Sequence, residues 1–289
     1  MKSKYSAVIV LFYPNKIDLI KKIKTLLKLN IFVVLVNNTP DNSLNIKIQD
    51  NKRILIINNK KNYGIAKAQN QAIKYLKSQS FNASFFFDQD SIFSGELISN
   101  LTACLSKDIN IIGPICIDAN TNKEIPSITM KKYGQAEFTY NKNQKYLKKV
   151  SLIISSGSLI KLNVFDKVGL FDENLFLDYV DLEWCFRCIK FKEQIYIDPK
   201  STLEHKIGNG IKQLLFFKTI MHSPFRTYYK IKNPILLLKF SHIPKIWVLK
   251  EIVSSFKGLL IILILDKKRF RHIHKSLLGI KDALICMIK

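Results

Sequence analysis

The sequence predicts an α/β fold, a Rossmann-like and mostly parallel central sheet flanked by helices, extended at its C-terminus by amphipathic helices. Three observations predict it. The first 90 residues alternate short apolar runs with amphipathic stretches, the sequence form of repeated βα units. The 289 residues are 47% hydrophobic and 24% charged with only 10 Gly and 8 Pro, which excludes a disordered or linker-dominated chain. Residues 212–289 then carry 16 Lys and Arg against 3 Asp and Glu, interleaved with aliphatic and aromatic residues. The shift divides the chain into a main α/β unit over residues 1–211 and a basic amphipathic helical region over 212–289.

In order along the chain, residues 5–12 (YSAVIVLF) read as a strand and 17–29 repeat apolar residues at helical spacing. Residues 31–36 and 54–57 are buried strands, 65–77 a helix, and 83–87 a strand ending at Asp88. Three of these strands run into polar loops, Tyr13-Pro14-Asn15, Asn37-Asn38-Thr39 and Asp88-Gln89-Asp90. In open α/β sheets, ligands sit beyond the carboxyl ends of strands. From 110 to 160 the pattern changes to short β-like pieces, clearest at 111–117 and 151–160, suited to antiparallel or mixed additions. A helix begins near Asp181, and 194–197 read as a strand broken at Asp198-Pro199, which leaves His205 in a loop.

A formal net charge of +24 points to a polyanionic partner, whether nucleic acid, an anionic membrane face or a phosphorylated substrate. More than half of it lies in the last quarter, where runs such as Lys245-Ile-Trp-Val-Leu-Lys250 pair an apolar face with a basic rim, the form suited to an anionic bilayer surface. The bland alternative is a helical cap with a solvated basic face. The longest uncharged apolar run there, 258–265, is too short to span a membrane. Five cysteines without disulfide-framework spacing, and an N-terminus without a signal-peptide pattern, read as cytoplasmic with reduced thiols. Cys185 and Cys188 form a CxxC that reads as a pair of helix cysteines rather than a zinc site.

Two acidic clusters carry the chemistry. Asp88 and Asp90, one residue apart at a strand's carboxyl end, present hard oxygen ligands of the kind that hold Mg²⁺ or Mn²⁺; such triplets also occur in ordinary turns. Asp178, Asp181 and Glu183 fall within six residues at a helix start, where capping and the helix dipole favour acids. Their flanks, Phe176, Leu177 and Trp184 among them, form an apolar setting that raises a carboxyl pKa toward that of a general base. Gly64, within Asn62-Tyr-Gly-Ile-Ala-Lys-Ala-Gln-Asn70, permits close approach of backbone or ligand. His205 is suited to completing a metal site or contacting a phosphate, and equally to being packed or solvated.

Together these segments resemble the inverting family 2 glycosyltransferases with the GT-A fold, closest to the rhamnosyltransferase-like branch, over residues 5–235. The strand and loop ending Tyr13-Pro14-Asn15 look like the family's opening nucleotide-contacting segment. Asn37 and Asn38 fall on its second loop, with Asn37 where the family usually has Asp. Asn62 to Asn70 matches the family's Asn-x-Gly helix start, and Asp88-Gln89-Asp90-Ser91 its DxD strand end. Asp181 falls on the proposed base, with Val180 in place of the preceding Glu, and Glu183 on the following acid. His205 with Gly208 resembles the metal- or diphosphate-contacting loop. Arg226 to Asn233 resembles the next helix, with Lys232 replacing its second Arg.

The resemblance implies inverting transfer of a sugar, L-rhamnose from dTDP-L-rhamnose, onto a lipid-linked saccharide in bacterial O-antigen or capsule synthesis, at the inner face of the cell membrane. It implies Asp181 as base with Asp178 and Glu183 as supporting acids. Asp90, Asp88 and His205 would hold Mg²⁺ or Mn²⁺. Tyr13, Asn15, Asn37, Asn38, Gly64, Asn70, Asp88 and Arg226 would bind the donor. The alternatives are a UDP-hexose donor on the same fold, or a nucleic-acid-binding protein, which no recognised motif supports and which the acidic cluster disfavours.

Overall fold

The computed structural model describes residues 4–40, 52–205, 211–214 and 217–288; Gly208 lies outside them. Its opening half follows the βα pattern of the sequence: β1 (Tyr5–Leu11), α1 (Lys16–Lys28), β2 (Phe32–Asn37), β3 (Ile54–Asn58), α2 (Gly64–Ser78) and β4 (Ala83–Asp88). Strand alternation builds two cores. Val8, Val34 and Phe86 face one side with α2, while Ile9, Leu35, Phe85 and Phe87 face the other with α1. Burying each such side chain contributes about 1.5–3 kcal/mol, which fixes the register because a one-residue slip exchanges the faces.

After β5 (Ile92–Phe93) comes α3 (Gly95–Cys104), a helix the sequence reading does not contain. Ser94 caps it by accepting from the Leu97 N–H, and Leu97, Ile98 and Leu101 are its buried face. The chain continues through β6 (Ile111–Asp118), β7 (Lys123–Ile125), β8 (Ser127–Met130), β9 (Ala136–Thr139), β10 (Lys148–Val150) and β11 (Leu159–Lys161). Next are α4 (Val164–Val168), α5 (Val180–Lys190) and β12 (Ile195–His205). The hairpin β13 (Ile211–Leu214) and β14 (Phe217–Ile220) precedes α6 (Pro224–Leu237), α7 (Lys245–Leu265) and α8 (Arg269–Ile288). Ten strands form one mixed sheet along β10-β12-β6-β11-β4-β1-β2-β3, with β5 added at β12 and β7 at β6.

The pairs β1–β2, β1–β4, β2–β3 and β6–β12 are parallel, and β11 runs antiparallel between β4 and β6. The chain moves outward from β1 in both directions, to β2 and to β4, so their carboxyl ends flank a topological switch point.

Three expectations are corrected. Residues 54–57 form a strand but not a buried one, since β3 is the last strand in the sheet and Ile56 is exposed. Residues 151–160 are not one strand: only Leu159–Lys161 is, and 153–158 cross the end of the sheet as a loop. Gly157 turns that loop at φ +83°, where an added Cβ would lie 2.8 Å from Pro114 Cγ. Nor does Asp198-Pro199 break the strand, because β12 runs on to His205 through an irregular register between Asp198 and Thr202. Pro199 sits at that irregularity, where no ladder N–H is demanded, and the Asp198 carboxylate accepts from the Lys200 N–H and Ser201 Oγ. His205 therefore ends a strand instead of lying in a loop. Cys185 and Cys188 are buried free thiols on α5.

Candidate active site

A cavity of about 580 Å³ opens beyond the carboxyl ends of β1 and β4, and the strand-end loops, the N-termini of α2 and α5, and α6 and α7 line it. Gln89, the middle residue of Asp-Gln-Asp, ties the two strand ends together. Its Oε1 accepts from the Phe12 N–H at 2.7 Å and its Nε2 donates to the Phe12 carbonyl at 3.0 Å. Lys22, buried under the loop, donates to the Gln89 carbonyl. The loop that replaces the expected strand supplies Ser156, whose Oγ accepts from the Asp88 N–H at 3.1 Å and lies 2.6 Å from Ser91 Oγ.

Thus held, Asp88 and Asp90 meet His205, which the continuous β12 delivers from the other side. Potential ligand atoms of the three all lie within 4.8 Å of one another. His205 Nδ1 is 3.7 Å from Asp88 Oδ2. Burial, with Asp90 and Asp181 adding to it and His205 and Arg226 opposing, pushes the Asp88 carboxyl up to about 6. Two carboxylates and an imidazole form an O/O/N donor set that fits a divalent cation such as Mg²⁺ or Mn²⁺.

The loop over 176–179 approaches α2 closely. Gly64, at φ +83°, leaves no room for a side chain, since a Cβ there would lie 2.6 Å from the Phe176 ring and carbonyl. Phe176, Asp178 and Tyr179 all have φ of +61° to +64°, a conformation costing non-glycine residues about 1–3 kcal/mol each. Helix α6 holds them there. Asn233 Nδ2 donates to the carbonyls of Leu175, Leu177 and Asp178 at 2.7–3.0 Å, and Tyr229 stacks on Phe176 at 4.8 Å. Arg226 donates to both Asp178 carboxylate oxygens, 2.8 Å from Nη2 and 3.0 Å from Nε, and Lys230 lies 3.5 Å away. Burial works to raise Asp178, but the Lys230 and Arg226 charges outweigh it and hold the carboxyl below the usual carboxylate range.

This loop delivers Asp181 to the cavity wall on the first turn of α5. Its Oδ2 accepts from the Ser155 N–H at 3.1 Å and its Oδ1 from the Leu182 N–H at 2.9 Å. Burial raises its pKa in spite of these bonds, which are too few to offset it. A carboxylate fixed by two N–H groups and destabilised by burial is suited to accept a proton from a hydroxyl within the cavity.

The sequence-derived residues separate into two groups. Asp88, Asp90, Asp178, Asp181, His205, Arg226, Asn38 and Gly64 line the cavity. Tyr13, Asn15, Asn37, Asn70 and Glu183 are not in that lining. Asn15 caps α1, accepting from the Ile17 and Asp18 N–H groups. Asn37 is fully buried, donating to Asn58 and accepting from the Thr39 N–H. Asn38 is buried too, its amide bonded to the Gly64 carbonyl and to Asn59. Asn70 joins α2 to Phe171 and Glu173. Glu183, 1% exposed, pairs with Arg187 at 2.7 Å and His242 at 2.9 Å.

The sequence reading does not single out Gln89, Ser155, Tyr179, Lys230 or Glu251, all of which line or brace the cavity; Ser156 falls in a segment, Ser156-Gly157-Ser158, that resembles the family's acceptor-side block. Glu251 reaches in from α7, accepting from Tyr179 Oη at 3.0 Å; burial raises its pKa. The hydroxyl-rich Ser-Ser-Gly-Ser run at 155–158 is the one local signal that marks part of this group.

Residues 7–169 match a family model described as Glycosyl transferase family 2. The chain is 34% identical over 285 residues to the dTDP-rhamnosyl transferase RfbF of Shigella flexneri, covering 98% of this chain and 96% of that one. Among solved structures, GalNAc-T7 with UDP, GalNAc and Mn²⁺ aligns with a TM-score of 0.58 at 14% identity over 88% of this chain. TarS of S. aureus gives 0.53 at 15% identity over 93%. These two likenesses show the GT-A fold, and this chain spans 57% and 46% of their respective lengths.

Proposed function

The chain belongs to glycosyl transferase family 2, and from that premise we propose that it moves L-rhamnose from dTDP-L-rhamnose, with inversion, onto a lipid-linked saccharide of a bacterial O-antigen or capsule. The enzyme then works as a peripheral protein on the inner membrane face. Similarity to RfbF over nearly the full length of both chains supports the donor. The observation that carries the reaction is the cavity itself, which Asp88, Asp90 and His205 line together with Asp181.

On this reading Asp90, Asp88 and His205 hold Mg²⁺ or Mn²⁺, which when bound neutralises charge on the departing diphosphate. Asp181 accepts the proton of the acceptor hydroxyl as that oxygen attacks the anomeric carbon from the face opposite the leaving group. Arg226 sits where its charge reaches both Asp178 and the diphosphate end of the cavity. Asp178 supports by fixing Arg226 and the loop, and Glu183 by anchoring α5. Asn38 and Gly64 shape the donor side directly; Asn15, Asn37 and Asn70 act through the backbone they fix, and Tyr13, its ring exposed on the loop after β1, contacts the donor. Residues 1–211 form the catalytic unit, whose cavity α6 and α7 of the 212–289 region complete.

The test is product release. Purified protein with Mn²⁺ and a lipid-linked acceptor should liberate dTDP from dTDP-rhamnose well above its release of UDP from UDP-glucose or UDP-galactose. Preference for a UDP-hexose would overturn the donor assignment, and no binding of any nucleotide sugar would overturn the reaction.

A further inference from the structure

We propose that the outer faces of α7 and α8 form one docking surface for an anionic lipid bilayer. On α7, Ile246, Leu249, Val253, Phe256, Leu260 and Ile264 are all exposed, 37–63% of each surface being open. Their 3–4 residue spacing places them along one helix face. The opposite face holds Trp247, Val248 and Ile262 in the protein and Glu251 in the catalytic cavity. On α8, Phe270, Ile273, Leu277, Leu284 and Ile288 repeat the pattern, while His272, Ser276, Gly279 and Ala283 face inward. So large an array of open aliphatic and aromatic side chains exceeds the scattered apolar surface normal for a soluble protein.

The charge on this surface identifies its occupant. A shallow groove of about 490 Å³ on α7 runs between Ile246, Leu249 and Val253 and the lysines Lys250 and Lys257. Arg269 and Lys281 are exposed on α8. The three acids of these helices and their connection are all engaged with other side chains: Glu251 with Tyr179, Asp266 with His272, and Asp282 with Tyr228. The groove therefore pairs apolar side chains with two lysines and no acid, the half-buried Asp266 and Asp282 being turned to His272 and Tyr228. A second copy docked face to face would oppose lysine to lysine, whereas an anionic headgroup layer neutralises them while acyl chains receive the stripe. Among the described residues no helix is long and apolar enough to cross a membrane, so the surface lies on the bilayer.

This deepens the proposed function, resting on it only for the lipid-linked acceptor that such a surface would serve. Because Glu251 and the stripe share one helix, docking would hold the cavity at a fixed relation to the membrane plane. The test uses the full chain and vesicles of phosphatidylglycerol and phosphatidylcholine, or of phosphatidylcholine alone. Sedimentation should carry the protein down with the anionic vesicles only, and less at high salt. The combined variant Leu249→Ser, Val253→Ser, Leu260→Ser should lose at least tenfold in vesicle affinity, as should Lys250→Glu with Lys257→Glu. Circular dichroism and dTDP binding of both variants should match the parent, which separates this outcome from failure of the enzyme reading. Undiminished vesicle binding by both variants would overturn the proposal. So would a parent dimer that the serine variant dissociates, since a second copy would then occupy the face.

Discussion

The two ends of the cavity hold carboxylates in opposite electrical states. At the helical end Asp178, 6% exposed, is matched by Arg226 and Lys230, and its pKa is lowered although burial alone would raise it. At the sheet end Asp88 faces Asp90 with His205 3.7 Å away and Arg226 acting on it without an ion pair, and burial pushes its carboxyl up to about 6. The first end is neutralised by the chain's own cations and serves to hold a strained loop. The second carries two carboxylates that His205, Arg226 and Lys22 offset only in part, the state expected of a site that takes further counter-charge from a ligand.

Asp181 stands between these ends, and changing it is expected to have the largest effect. Asp181→Asn should lower transfer by about 10²–10⁴-fold while dTDP binding stays within about twofold, measured by product release and calorimetry. A comparable loss of dTDP binding would place Asp181 with the sheet end. Next is Asp178→Ala, which leaves Arg226 and Lys230 unpaired and should cost about 3 kcal/mol, read as a lower denaturant midpoint. Its stabilising pair persists above the ordinary carboxylate range and is lost as pH falls through the lowered pKa.

Asp88→Asn should act in the opposite direction. A carboxyl at about 6 when folded and 3.8 otherwise makes stability fall as pH rises between those values. The amide should therefore stabilise the metal-free protein at pH 7.5 by up to about 3 kcal/mol and lose most of that advantage at pH 4. A destabilised Asp88→Asn at neutral pH would break the contrast. Smallest is Asn233→Ala, which frees three loop carbonyls and should cost about 1–2 kcal/mol. Its signature is a lower kcat with little change in dTDP affinity, because the loop carries Asp181 and not the sheet end.

The two ends also differ in how far the sequence reveals them. Asp88 and Asp90 are legible because an apolar run, ASFFF, stops at them, and a strand's end is a local signal. The βα register is legible for the same reason, as strand alternation and helical spacing are short-range. At the helical end the acids are visible, but their opposite fates are not. Asp178 is set by Arg226 and Lys230, some fifty residues away, and Asp181 by the Ser155 N–H in a loop whose residues, IISSGS, read as part of a strand. Glu251 has no local mark at all, since only the packing of α7 brings it to Tyr179. Asn37 and Asn70 show the converse: polar residues at motif positions whose side-chain bonds are made inside the fold. Pro199 reads as a break because the bulge that accommodates it depends on β12 pairing with β6.

The most direct test of the acidic sheet end is calorimetric titration of dTDP into the protein with Mn²⁺ and, separately, with EDTA, alongside Asp90→Ala. The account predicts that Mn²⁺ tightens dTDP binding at least tenfold in the parent and has no effect in the variant. Equal dTDP affinity in Mn²⁺ and in EDTA would contradict it.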